Sequence, residues 1–147
     1  MTFQEAVKNT DLLRQGYRTE LRAIKKADCK KIVYADEKKL EGSVDIDSCT
    51  QCKYPNSNRW DYAIGYAGSI YFLEVHPART SEVKVVVAKL KWLKGWLAQE
   101  GFRLNETKGE IHFNWVASRK INILKTSPEY RMAQQKNLLP SSELRLD

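Results

Sequence analysis

RWDYAIGYAGSIYFLEVH, residues 59–76, decides the fold. It reads as two strands around a tight turn: Trp60–Tyr66, the turn at "AGS", then Ile70–His76. Alternation puts Ile70, Phe72, Glu74 and His76 on one face of the second strand, and Tyr71, Leu73 and Val75 on the other. Both faces are apolar for most of its length, so the strand is expected to be central and covered on both sides. Glu74 then lies close to the core, where a carboxylate is costly unless it is paired, protonated or bound to a metal. Asp61 opens the neighbouring strand. Two carboxylates and an imidazole therefore gather at one end of an otherwise apolar hairpin.

Working outward, Pro77 stops the second strand. Thr80 or Ser81 is expected to cap a helix running to about Gln99, with Glu82 in its first turn and Gly101 ending it. Its buried stripe is Val83, Val86, Val87, Leu90, Leu93 and Leu97, with Lys84, Lys91 and Lys94 on another side. Upstream, "GSVDID" (42–47) predicts a strand with one buried face, and "SCTQCKYPNSN" (48–58) a loop. Residues 11–31 predict a helix capped by Thr10 or Asp11, with Leu13, Tyr17, Leu21 and Ile24 as its apolar stripe. Gly16 weakens that helix by about 1 kcal/mol relative to Ala. "KIVY" (31–34) either continues the helix or forms a short strand.

Downstream, "GEIHFNWVA" (109–117) alternates as a strand that "KINIL" (120–124) extends past a kink. Ser127, Pro128 and Glu129 open a helix to about Asn137, and "SELRLD" (142–147) makes a final edge strand. The expected fold is α/β: a mixed central sheet flanked by helices, in the order α-β-β-β-α-β, followed by a C-terminal helix and strand. Residues 1–147 fit a single domain.

Composition narrows the function classes. A net charge of +7 and a pI near 9.3 favour a polyanionic partner, nucleic acid before a membrane surface. Hydrophobic residues at 42% and charged residues at 29% argue against a disordered chain. Three cysteines make no disulfide framework. No basic stretch followed by an apolar run opens the sequence, and no segment approaches the roughly eighteen apolar residues of a membrane span, so a cytoplasmic protein is expected. Cys49 and Cys52 form a C-x-x-C, but Cys29, His76 and His112 offer no obvious second pair for zinc. There is no glycine-rich phosphate loop and no ordered Ser-His-Asp set. Asp45 and Asp47 read as the solvated face of an edge strand, Asp47 with an outer place near the carboxylates.

Asp61 at the start of one core strand, and Glu74-x-His76 on the next, resemble the PD-(D/E)xK nuclease superfamily. Its core of helix, three-stranded meander, helix and further strand is similar to the order expected over roughly residues 11–124. The resemblance implies a metal-dependent nuclease that cleaves phosphodiesters, in DNA ahead of RNA. It implies Mg²⁺ or Mn²⁺ held by Asp61 and Glu74, with Glu20 of the first helix as a third ligand. Two carboxylates suit a hard cation that polarises a phosphoryl oxygen and acidifies water. His76 stands where the family usually has Lys. Three readings stay open: His76 substitutes for it, Lys84 of the following helix supplies the charge, or the site is retired and the protein only binds nucleic acid or a protein partner. Arg79, Lys91, Lys94, Arg119 and Lys120 would contact phosphates. Many such nucleases act as homodimers, and no membrane partner is expected. The plainer alternative is structural: Asp61 satisfying backbone donors, Glu74 paired with a Lys or Arg, and His76 an exposed strand end.

Overall fold

A computed structural model describes residues 1–147. Its centre is the hairpin of β3 (Tyr62–Tyr66) and β4 (Ser69–His76), paired in register from Tyr62↔Leu73 to Tyr66↔Ser69. Ala67 and Gly68 close it, both at positive φ (51° and 84°), the backbone that a two-residue hairpin loop demands. Every residue of β3 is buried. β2 (Leu40–Asp45) pairs antiparallel with β3, and β5 (Ile111–Ala117) pairs parallel with β4, giving a four-stranded mixed sheet in the order β2-β3-β4-β5. The parallel step needs a crossover, supplied by α4 (Val83–Leu97).

The predicted two-sided burial of β4 holds. Ile70 and Phe72 pack into one core with Phe3, Val44, Trp60 and the buried stripe of α4. Tyr71 and Leu73 pack into a second core with Tyr62, Ile64, Ile24 and Val116. The second face is covered less by helix than expected. α2 (Lys26–Cys29) is a single turn, and beside it β1 (Ile32–Tyr34) pairs parallel with β6 (Leu144–Leu146) as a separate two-stranded sheet. "KIVY" and "SELRLD" are therefore both strands, joined to each other and not to the main sheet.

The helix expected over 11–31 does not form. The first helix is α1 (Phe3–Lys8), started by a reciprocal cap between Thr2 and Glu5. The chain then turns at Arg14–Gly16, Arg18 bridges to Ser43 beside β2, and Glu20 takes a positive φ of 51°. Leu13 and Ile24 are buried all the same, so the apolar spacing was obeyed by a loop that wraps the sheet edge.

The strand expected over 42–47 ends at Asp45, and Ile46 and Asp47 instead start α3 (Ile46–Thr50), because Asp45 caps it through Ser48. The expected loop at 48–58 thus begins inside a helix. α4 is preceded by a 3₁₀ turn at Thr80–Glu82 and lacks a side-chain cap; the Thr80 hydroxyl instead accepts the Leu124 N–H. "KINIL" adds only a single bridge, Arg79 to Asn122. α5 (Pro128–Gln135) follows Ser127 as its cap, as expected. No helix is long and apolar enough to cross a membrane.

One packing consequence is testable. A Cβ on Gly65 would lie 2.5 Å from Cγ of Phe3, itself buried between α1 and the sheet. Gly65→Ala is expected to cost roughly 1–3 kcal/mol by overpacking. Urea unfolding should show a lower midpoint with an unchanged slope.

Candidate functional site

Asp61 immediately precedes β3, and Glu74 lies near the end of β4. Because Tyr62 pairs with Leu73, the next position out sets Asp61 against Glu74 on the face that α4 covers. Each side chain locks the other strand's backbone. The Asp61 N–H donates to Glu74 Oε1 at 3.1 Å, and the Val75 N–H donates to Asp61 Oδ2 at 3.0 Å. The Asp61 carbonyl accepts the Ile46 N–H, which ties β2 and α3 to the same point.

Glu74 is fully buried. Its charge is met by Lys89, whose Nζ sits 2.5 Å from Oε2 and 4.0 Å from Asp61 Oδ1. Lys89 was not among the expected site residues. It had a signal: it lies three residues after Val86 and four before Leu93, inside the apolar stripe of α4, where a lysine must find a partner or a way to water. Lys84, the cation expected from this helix, is exposed, one residue from buried Val83 and out of phase with the stripe. The ammonium beside the two carboxylates thus comes from α4, but from Lys89 and not from Lys84.

His76 is not an exposed strand end. Its side chain is 17% exposed and lies between two carboxylates, Nδ1 at 3.5 Å from Glu74 Oε2 and Nε2 at 3.4 Å from Glu82 Oε1. The second contact is close enough for charge pairing but is not aligned as a hydrogen bond, which leaves Nε2 buried without a partner. The Trp115 indole N–H donates to the His76 carbonyl at 3.1 Å and fixes the strand end.

The local field follows from burial and like charge. Asp61's carboxyl is pushed up to about 7, first by desolvation and then by the Glu74 charge, with Lys89 and the Val75 N–H opposing. Desolvation, the largest influence on Lys89, lowers its pKa, yet attraction by Glu74 and Asp61 leaves it raised, so its ammonium is held charged.

The remaining expected residues disperse. Glu20 borders a hollow with Leu40 and Glu41, at the end of β2 that pairs with Tyr66, away from Asp61. It sits 3.4 Å from Arg22 and does not join the carboxylate pair. Asp47 pairs with Arg59 at 2.8 Å, and its charge still reaches Asp61 as a minor influence. Lys94 lies over the Phe113 ring, and Lys91 borders a separate hollow beside Trp92. Arg79, Arg119 and Lys120 do come together, around a hollow next to the strand ends. Cys29, Cys49 and Cys52 are free thiols.

No three His, Cys, Asp or Glu side chains form a ready-made metal cage. Mg²⁺ seldom has one; it is usually held by one or two carboxylates, with substrate phosphates and water completing the shell. Asp61 and Glu74 meet that donor requirement. They, Glu82 and the more distant Asp47 face Lys89 and the already paired Arg59, which leaves an excess of negative charge. No family model matches the chain, and no curated protein or solved structure matches it.

Proposed function

We propose that this chain is a metal-dependent nuclease that hydrolyses phosphodiester bonds in nucleic acid, DNA ahead of RNA. The observation that carries the reading is the convergence of Asp61, Glu74 and Lys89: two carboxylates from adjacent strands with one ammonium against both. Lys89 provides the permanent charge that a neutral imidazole at position 76 lacks.

Asp61 and Glu74 would hold Mg²⁺ or Mn²⁺. When bound, the cation supplies Lewis-acid polarisation of a phosphoryl oxygen and acidification of water. Lys89 has three donors and spends one on Glu74 Oε2. The others can orient an attacking water or stabilise charge on the phosphoryl oxygens. His76, wedged between Glu74 and Glu82, positions Glu74 and can hold a proton at Nε2 facing Glu82. The Asp61 and Val75 N–H groups fix both carboxylates before substrate arrives, which lowers the reorganisation needed for reaction.

A second reading has its own observation. Three of the four carboxylate oxygens already have a close donor, as a purely structural ion pair would. Cleavage of DNA and RNA oligonucleotides, assayed with Mn²⁺ and with Mg²⁺, separates the two. The nuclease reading expects cleavage by the wild type and its loss in Glu74→Gln and Lys89→Met, both assayed where circular dichroism shows them folded. No cleavage by the wild type, or equal cleavage by all three, supports the structural pair.

A further inference from the structure

β4 and β5 run parallel and end side by side, His76 against Ala117. Ligands of such sheets gather in the crevice outside the carboxyl ends of the strands. Beyond these two ends the chain builds a hollow of about 610 Å³, bordered by Ala78, Arg79, Arg119, Lys120, Ile121 and Asn122. Its walls are tied backbone to backbone. The Asn122 N–H donates to the Ala78 carbonyl at 2.7 Å, the Ser118 N–H to the His76 carbonyl at 3.1 Å, and Arg79 bridges to Asn122.

Its charge is one-sided. Three cations border the hollow and no carboxylate does. None of the three makes an ion pair, although carboxylates elsewhere on the surface are paired with Arg14, Arg22, Lys53 and Arg103. Unpaired cations held close on a fixed backbone repel one another, and a bound anion relieves that cost. Ile121 is 41% exposed and gives the same wall an apolar contact suited to a sugar or base.

We infer that this hollow is a subsite for a phosphate of the substrate backbone next to the scissile one, so that the substrate is a nucleic-acid polymer and not a mononucleotide or small diester. The inference rests on the nuclease reading for the word "scissile" but not for the binding itself. The hollow begins at Pro77, directly after His76, whose imidazole lies 3.5 Å from Glu74 Oε2, so it borders the carboxylate pair.

The test uses the full chain and a triple variant, Arg79→Ala/Arg119→Ala/Lys120→Ala, whose three side chains are all exposed. Binding of a fluorescent oligonucleotide is followed by anisotropy across salt concentrations, with EDTA present so that cleavage does not intervene. Hydrolysis of bis(4-nitrophenyl) phosphate with Mn²⁺ is measured alongside. The expected result is a plot of log affinity against log salt that is shallower by roughly 1 in the triple variant, the counterion term of the one phosphate that loses its cations. The small diester serves only as a probe of whether the carboxylate site hydrolyses a phosphodiester at all. An unchanged salt slope, no oligonucleotide binding by the wild type at low salt, or tighter capture of phosphatidylserine vesicles than of oligonucleotide overturns the subsite. If the slope falls but neither protein hydrolyses any diester, the subsite stands and the nuclease reading fails.

Discussion

Lys89→Met is expected to lose on the order of 3–5 kcal/mol of folding stability at pH 8, the cost of stranding one partner of a buried ion pair. Met fills most of the volume of the lysine stem, so packing in α4 is largely kept. What is lost is the ammonium 2.5 Å from a carboxylate that has no exposure at all. Glu74 would then keep the Asp61 N–H and the His76 imidazole 3.5 Å away, with the Asp61 carboxyl at its side. The loss should shrink as pH falls through about 7, because protonation of Asp61 removes the like charge beside Glu74. Adding Glu74→Gln to Lys89→Met should recover most of it, since a neutral amide can still accept from Asp61 and no buried charge remains. Urea unfolding of the wild type, both single variants and the double variant measures the coupling directly. A cost below about 1 kcal/mol at pH 8 would mean that water screens the pair as it screens surface pairs.

Asp61→Asn is expected to do the opposite and stabilise the fold. Asp61's carboxyl titrates near 7 in the folded chain, against an ordinary value of 3.8. The folded state therefore holds a proton that the unfolded state releases, throughout that window. The stability linked to this proton is fully present below about pH 4 and is lost as pH rises through 7. Above pH 7 the wild type carries the whole penalty, about 2–4 kcal/mol for a shift of this size. Asn has no charge to desolvate and its carbonyl can still accept the Val75 N–H. The variant should thus be more stable than the wild type at pH 8 and nearly equal to it at pH 4. Thermal melts at the two pH values suffice, and a variant less stable at pH 8 would contradict the burial and like-charge origin of the shift. A residue whose removal stabilises the fold is one retained for another reason, as is common at functional sites.

The hairpin and its surroundings were legible because two periodicities agreed with burial. Period-two alternation in Ile70–His76 gave both faces of β4, and the stripe from Val83 to Leu97 gave the core side of α4. The three-residue turn expected at 67–69 would have set Asp61 against Val75; the two-residue turn at Ala67–Gly68, with Ser69 already in β4, sets it against Glu74, a pairing that only the resemblance anticipates. The segment 11–31 misled because its apolar spacing of three and four was real while its backbone was not helical. Gly16, the bridge from Arg18 to Ser43 and the left-handed Glu20 bend the chain, and Leu13 and Ile24 reach the core from a loop instead. With that helix went the reason to place Glu20 at the site. Lys89 was missed because only Lys84, Lys91 and Lys94 were set against the apolar stripe of α4. Position along the helix favoured Lys84, but phase around it favoured Lys89, and phase decides what a side chain touches. The cation hollow joins Arg79 to Arg119 and Lys120 through the parallel pairing of β4 with β5, a contact between distant segments that local patterns do not encode.

Calorimetric titration of Mn²⁺ into the wild type and into Glu74→Gln is the most direct test of the Asp61–Glu74–Lys89 site. It should be run with and without a phosphorothioate oligonucleotide that offers phosphate ligands but resists cleavage. A hydrolytic site requires binding by the wild type in at least one of the two conditions and its loss in Glu74→Gln. Equal binding by both proteins, or none by either in both conditions, would contradict it and leave Glu74 and Lys89 as a buried ion pair of the core.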